Sequence, residues 1–575
     1  MAVTILLAFR KKEKEDRQLE LRKWIVRARR ERAEKQHFCL EKATDLKEND
    51  VEWLTATETR GLIESGDLDP SDHVVRLAKR CRQYGRDERR ANAITEEFYD
   101  EAFEAAEKIK VNGKKGGVLA GVPISVKDCI GLKGAYSTGG LACRLQRRDT
   151  EDSLIIQVLK SAGALPLCRG NVPQIMMIPE SVNHIYGRSR NPWNLRRTPG
   201  GSSGGDGALV AMRCVPLAIC SDVAGSIRIP AAFCGVTGFK PTSTRVSNKG
   251  NMRPRKNNKA GTSVPIPAAV GPVALTVDDC ALFMKAVCVP EMYDTDLNIP
   301  RLPFDTTAYQ STKRLKIGYF FTDGWFEPCG TAKRGLQETI DALTKAGNEC
   351  VPFEPPTDGW FSYGLLVSIN GAEGNFRSYK EALEDETIIP EYNTLVTASD
   401  MPNWLRWIAR KVIDKRRGHL LSCTRSGGVS VWDLWQEMAA LLQMRSDWSD
   451  AFRNAGIDAV LHPALPLPAM PHGLSGNLTS AFSYMFLANM LLWPAGVVPV
   501  TLVQEEEQVY PKGELPDNQR DYLADLAAVV MHGSAGLPMS VAVMTPAFQD
   551  EKCLSVMKEV ERVIGFSARP TAYKE

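Results

Sequence analysis

Between Arg10 and Gln36 the chain is highly charged, yet Leu21, Trp24, Ile25 and Ala28 recur at i, i+3, i+4 and i+7. That spacing predicts a helix with one apolar stripe. Val51 to Tyr84 reads as two more helices, with Ser65-Gly66-Asp67 as the turn between them. From Gly117 the pattern changes. Short apolar runs, GVPISV, ALPLC and VPLAIC, alternate with helical stretches such as Asp152–Ala162. Alternation of this kind predicts an α/β fold with much parallel sheet. A second strongly amphipathic stretch, MPNWLRWIARKVIDKRRGHLL (401–421), aligns Trp404, Ile408 and Val412 on a helix, with Leu405, Ala409 and Ile413 beside them. Arg406, Arg410, Lys411, Lys415, Arg416 and Arg417 take the remaining surface. Val460–Met470 and Leu491–Val503 read as buried strands interrupted by prolines, and Asp550–Ile564 as a closing amphipathic helix. No internal repeat, low-complexity segment or Gly/Ser-rich linker divides the chain.

Length permits two to four ordinary domains, but 43% hydrophobic and 25% charged residues describe an ordinary globular composition with a large core. The net charge of +3 conceals an asymmetry: residues 1–36 carry +6 and residues 401–421 carry +5, which leaves the rest at −8. Both basic segments contain tryptophan. Charge and tryptophan on a short amphipathic helix suit a membrane interface. For the N-terminal helix two readings stand: docking onto the main domain by its stripe, or lying on an anionic membrane. A nucleic-acid role would need a partner fold, and none is visible. The apolar run AVTILLAF (2–9) is far shorter than the roughly 20 residues that span a bilayer. Its basic cluster follows the apolar stretch, which argues against a secretory signal. The 14 cysteines are scattered without CxxC pairs, as reduced thiols are in an intracellular protein, and suggest neither a disulfide framework nor a zinc site. No metal and no cofactor is expected.

The candidate chemistry lies between Thr198 and Phe233. A glycine–serine loop, PGGSSGGDG, precedes small apolar residues and a second tight loop, SDVAGS. Dense glycines let the backbone approach another group closely, and successive N–H groups there make an anion site. Each loop offers a hydroxyl, Ser202 or Ser203 in the first and Ser226 in the second. A serine attacks only when a base takes its proton. None of the seven histidines lies in such a loop, and His462, in an apolar strand, reads as a satisfied core residue. The remaining candidate is Lys127, which ends the apolar run Val122–Val126; burial favours the neutral amine that a base requires.

The motifs GVPISVKD, PGGSSGGDGAL and SDVAGSIRIP, in this order and spacing, resemble the amidase signature family. NVPQ (171–174), NPW (191–193), FCGVTGFKPT (233–242), PAGVVPVT (494–501) and GLP (536–538) are similar to its animal fatty-acid amide hydrolase branch, and the likeness runs from about Val51 to Phe566. The resemblance implies one large twisted mixed β-sheet surrounded by α-helices in a catalytic domain over 51–575. It leaves 1–50 as a basic helical N-terminal segment and 401–421 as an amphipathic membrane-binding insertion.

The same resemblance implies a Ser-Ser-Lys mechanism. Ser226 is the nucleophile, and Ser202, held by a cis peptide bond, relays its proton to Lys127. The N–H groups of Val223, Ala224, Gly225 and Ser226 form the oxyanion hole, and Ser203, Asp222 and Arg228 support the loops. Asp222 is expected to accept from loop N–H groups or from Ser203. Met176, Met177 and Ile229 line the acyl channel, and Trp404, Leu405, Trp407, Ile408, Arg410 and Lys411 meet the membrane. Three departures stand out. Ala224 replaces the commoner glycine, which matters if φ is positive there. Met177 and Pro179 replace aromatic residues. No N-terminal membrane span like that of the mammalian members is expected in this sequence. The expected activity is hydrolysis of fatty-acid amides (N-acylethanolamines and primary amides) by a peripheral membrane serine hydrolase. It is expected to be a homodimer on the cytoplasmic side of an endomembrane. Alternatives are a soluble small-amide amidase, a glutaminase-type amidotransferase subunit, or a lipid-binding membrane protein whose chemistry has decayed.

Overall fold

The computed structural model describes residues 2–41, 54–112, 117–253, 265–374, 376–424, 427–511 and 521–574; the side chains of 2–10, 111–112, 415 and 574 lie outside that description. The predicted helix start at Val51 and the side chains of the apolar run 2–9 therefore fall outside the described residues.

Eleven strands form one sheet in the order β1-β3-β2-β6-β8-β7-β12-β13-β11-β9-β10. They are β1 (Ile94–Glu97), β2 (Pro123–Lys127), β3 (Leu165–Gly170), β6 (Leu217–Asp222), β7 (Thr237–Lys240), β8 (Ala269–Ala274), β9 (Lys316–Tyr319), β10 (Glu349–Pro352), β11 (Ala459–Pro463), β12 (Ala495–Leu502) and β13 (Pro538–Met544); β4 (Val182–Asn183) and β5 (Gly187–Arg188) form a separate hairpin. Only four of the ten pairings are parallel, β3-β2, β2-β6, β11-β9 and β9-β10. The apolar strand runs predicted more parallel sheet than this. The runs GVPISV, ALPLC and VPLAIC do pair in parallel, as β2, β3 and β6; later runs such as PAGVVPVT, in β12, also report burial on both faces, and central antiparallel strands covered by helices bury both faces equally. Large apolar clusters fill the space on either side of the sheet.

The parallel flank positions the chemistry. All five residues of β2 are buried, between β3 and β6. Because β2 and β6 are parallel neighbours, with Val126 opposite Ile219, their C-terminal ends at Lys127 and Asp222 lie on the same edge. Helix Gly204–Ala211, whose first turn follows the Gly/Ser loop, packs across β2, β3 and β6.

The early helices follow their sequence signals. Ala56–Ser65 starts at a Thr55/Glu58 capping box and ends on left-handed Gly66, φ +88°, within the predicted turn. Pro70–Arg80 has Asp69 as its N-cap and proline in the first turn. The N-terminal helix (Ala2–Glu34) is docked on the catalytic body. Leu21 and Ala28 are buried, with Trp24 and Ile25 beside them, against Tyr136, Leu141, Ile175, Tyr186 and Leu383. Its arginines reinforce the contact: Arg29 Nε donates to Ile185 O at 2.7 Å, Arg27 to Leu145 O at 2.5 Å, and Arg17 pairs with Glu384 at 2.9 Å. Of the two readings for this helix, docking is the one its stripe performs.

Candidate active site

Lys127 is 1% exposed at the end of β2. Arg169, fully buried, donates to the Lys127 carbonyl at 3.1 Å and to Ile130 O at 2.9 Å, which pins the strand end. The Lys127 Nζ has three neighbours: Ser202 Oγ at 2.8 Å, Ser221 O at 3.1 Å and Ser221 Oγ at 3.1 Å. Among the described residues no carboxylate pairs with it. All three are oxygens within hydrogen-bond reach: the Ser221 carbonyl can only accept, whereas the two hydroxyls can accept or donate, so a proton can pass between Nζ and Ser202 Oγ. Ser221, one residue before Asp222, was not singled out in the sequence, where it reads as an ordinary strand-end serine. Cys129 Sγ lies 3.6 Å from Ser221 Oγ and extends the same polar thread.

Ser202 is buried in the loop before helix Gly204–Ala211, and the Gly201–Ser202 peptide is cis, as the resemblance implied. Gly201 is required by close backbone approach: a Cβ there would lie 2.5 Å from Glu180 N and 2.6 Å from Ile178 O. Beneath this loop Asp206 is fully buried and accepts from Ser125 Oγ at 2.6 Å. Burial pushes its carboxyl up to about 7 against the Ser125 bond and the Lys127 charge, which favour ionisation.

Ser226 is half-buried on the turn between β6 and helix Arg228–Cys234. Asp222 organises that turn. It accepts from Gly225 N–H at 2.7 Å, Ile227 N–H at 3.2 Å, Arg228 Nε at 3.0 Å and Asn489 Nδ2 at 2.9 Å. Burial alone would raise its pKa, but the Arg228 charge and these bonds overcome that and hold it at about 2. Arg228 also donates to Asn489 Oδ1 at 2.5 Å. Asn489, a lone amide in the apolar run SYMFLANM, is a site residue that the sequence reading missed; its isolation among apolar neighbours was the available signal.

One expectation changes here, and two alternatives left open by the sequence are decided. The Gly225 N–H is committed to Asp222, so it leaves the oxyanion set; the N–H groups of Val223, Ala224 and Ser226 have no acceptor among the described residues. No hydrogen bond joins Ser203 to Asp222; the loop N–H groups take that place. The left-handed position is Gly225, φ +96°, while Ala224 is absent from the positive-φ residues, so its methyl carries no such strain. The structure joins Lys127 to Ser202 by a hydrogen bond, and no bond joins Ser202 to Ser226. Ile229 sits beneath both serine loops, within 3.2 Å of where a Cβ on Gly200 would stand and 2.8 Å for Gly225. His462 is the core residue expected, stacked on Phe320, its Nδ1 2.8 Å from Pro463 O, with burial lowering its pKa to about 4.

Met176, the last residue of the short turn Gln174–Met176, and Met177, which follows it, are half-buried. A cavity of about 600 Å³ lies elsewhere, between the N-terminal helix and helix Tyr99–Asn112, and is lined by none of Lys127, Ser202 or Ser226.

The segment 401–421 is two helices, Asn403–Val412 and Lys415–Cys423, because Asp414 caps the second by accepting from Arg417 N–H at 3.0 Å. Trp404, Leu405, Trp407, Ile408 and Val412 are exposed, Trp404 by 67% and Trp407 by 61%. Lys411 Nζ sits 3.5 Å over the Trp407 ring. Arg406 does not belong to the basic surface: it is buried and donates to Ala398 O at 2.7 Å and Met401 O at 3.0 Å. Arg416 likewise pairs with Asp521 at 2.8 Å. The sequence reading missed Val431, Trp432 and Trp435, which helix Val431–Ala455 exposes in its first turns. All 14 cysteines are free thiols. No helix among the described residues is long and apolar enough to cross a membrane.

The chain matches the Amidase family over residues 76–554. It is 35% identical over 474 residues to fatty-acid amide hydrolase 1 of Sus scrofa, which covers 79% of this chain and 77% of that protein. It is 32% identical over 487 residues to fatty acid amide hydrolase 1 of Caenorhabditis elegans, covering 82% of each. An acetamidase of Aspergillus oryzae is 28% identical over 89% of this chain and 90% of its own. The solved structure of a fatty acid amide hydrolase superposes with a TM-score of 0.77 at 23% identity, over 92% of this chain and 89% of that one, which establishes the shared fold.

Proposed function

Since the chain belongs to the amidase signature family and is an amide hydrolase, we propose that it cleaves fatty-acid amides at a membrane surface through Ser226, Ser202 and Lys127. The observation that carries this reading is the buried 2.8 Å contact of Lys127 Nζ with Ser202 Oγ, free of any carboxylate. An amine held this way accepts a proton from the serine and returns it.

In this mechanism Ser226 Oγ bonds to the amide carbonyl carbon while its proton moves to Ser202, whose own proton moves to Lys127. The carbonyl oxygen gains negative charge and is met by the free N–H groups of Val223, Ala224 and Ser226. Fixed donors of this kind are worth about 3–4 kcal/mol each in other hydrolases. The charged Lys127 then returns its proton through Ser202 to the nitrogen as the C–N bond breaks. That step is required because an amine anion is too poor a leaving group. Water releases the acyl group from Ser226 by the same route in reverse. Ser202 and Ser226 are expected to meet when substrate fills the site.

The lipid preference rests on the fatty-acid amide hydrolase relatives, the apolar Met176–Met177 wall and the exposed tryptophan face. Exposed aromatic side chains beside Arg410 and Lys411 fit peripheral attachment to an anionic leaflet. A second copy would double that contact and gain avidity.

A fluorophosphonate probe is expected to label wild-type protein at Ser226, and Ser226→Ala to abolish both labelling and oleamide turnover. Undiminished labelling of S226A would reject the nucleophile. Turnover of acetamide with none of oleamide would place the enzyme among small-amide hydrolases.

A further inference from the structure

Ile175 and Met176 both stand in the left-handed region, at φ +64° and +61°. Two positive-φ residues in succession are the centre of a type I′ turn, where Gly, Asn or Asp is usual. A β-branched isoleucine there is an outlier that persists only where its surroundings over-determine it.

The surroundings come from two sides: Gly139 O accepts from Ile175 N–H at 3.0 Å, and the stretch Glu386 to Tyr392 holds the rest of the turn. The Tyr392 hydroxyl donates to Gln174 O at 2.5 Å and accepts from Met177 N–H at 3.0 Å. These are the two backbone groups that would close the turn directly, and the phenol bridges them. The Gln174 side chain is gripped as well. Its Oε1 accepts from Ile389 N–H at 3.0 Å, and its Nε2 donates to Glu386 Oε1 at 2.9 Å and Thr387 O at 3.0 Å. Glu386 is anchored in turn by Ala142 N–H at 2.7 Å. Gln174, Glu386 and Tyr392 are all buried. A small apolar gap of about 30 Å³ borders Ile175, Met177 and Tyr392, so a released turn has room to relax. The turn carries the Met176–Met177 wall, and the next carbonyl, of Ile178, packs on Gly201 beside Ser202.

We propose that Tyr392 is a positioning residue for specificity: its hydroxyl, with Gln174 held by Glu386, fixes the Met176–Met177 turn and thereby sets the preference for long acyl chains. This rests on the reading that Met176 and Met177 face the acyl chain. The clamp acts on the wall and not on the reacting atoms, so it shows in chain-length selectivity.

The test compares hexanamide and oleamide hydrolysis by wild type and Tyr392→Phe, with hydrogen exchange at the Met177 amide. Loss of the bridging hydroxyl is expected to lower kcat/KM for oleamide about tenfold, chiefly through KM, and to leave hexanamide within about twofold. The Met177 amide is expected to exchange faster, and the fluorophosphonate labelling rate to hold. An unchanged oleamide-to-hexanamide ratio, or an equal fall for both, overturns the proposal. If wild type itself shows no preference for oleamide, the lipid-amide reading fails. The clamp is then judged by exchange alone: faster exchange in Y392F retains it and unchanged exchange rejects it. Should Y392F not fold, Glu386→Gln, in which one of the two N–H bonds to the side chain must be lost, is expected to shift the ratio the same way; an unchanged ratio there also rejects the clamp.

Discussion

Two buried carboxylates of similar sequence context are driven to opposite states by their immediate neighbours. Asp222 has a guanidinium, an amide and two backbone donors aimed at it and stays ionised at about 2. Asp206 has one serine and a distant lysine, and burial wins, raising it to about 7. Removing the charge of Asp222 leaves Arg228, 1% exposed, with Asn489 Oδ1 as its one remaining hydrogen-bond partner among the described residues. Breaking a buried pair from one side costs about 3–5 kcal/mol. Asp222→Asn is therefore expected to lower the unfolding free energy by that much and slow labelling of Ser226. A loss under about 1 kcal/mol, measured by urea unfolding, would show that the pair is not the support described. Ser202, Ser203 and Ser226 stood out as candidates because glycine spacing around a serine is unusual, and Lys127 because it ends a buried apolar run. Ser221 and Asn489 were not, because a hydrogen-bond partner from a neighbouring strand or from a helix 267 residues away leaves no local mark.

At the scale of elements, amphipathic period told which stretches were helices but not which charges faced out. Arg406 falls on the polar side of a helical wheel, yet three carbonyls from the turns around it draw it inward. Trp404 and Trp407 are exposed on one helix as expected, and Trp432 and Trp435 add exposed aromatic surface on another. In flotation with phosphatidylserine-containing vesicles, Trp404→Ala/Trp407→Ala is expected to lose most binding while hexanamide turnover in solution is retained. Equal flotation of the double variant and wild type would discard this face as the membrane contact. The N-terminal helix shows the converse: a stripe read from period alone, Leu21 to Ala28, is the face that docks.

The whole molecule adds a pH dependence that no single element predicts. Folded Asp206 holds its proton up to about 7, whereas the unfolded chain releases it near 3.8. Between those values the native state binds the extra proton, so stability falls as pH rises, by up to about 1.4 kcal/mol per pH unit. Unfolding free energies between pH 4 and 7 are expected to show this decline in wild type, reduced in Asp206→Asn. Identical slopes in the two proteins would mean that Asp206 is ionised in the fold.

From the sequence alone came the α/β class, the docking stripe, the amidase motifs and the serine and lysine candidates, because each is written in local periodicity or in the spacing of a loop. What only the tertiary structure decided is partnership. The antiparallel centre of the sheet, the commitment of the Gly225 N–H to Asp222, the Ser221 cradle under Lys127 and the Tyr392 bridge all depend on which distant groups are brought within about 3 Å, a distance set by packing of the whole chain.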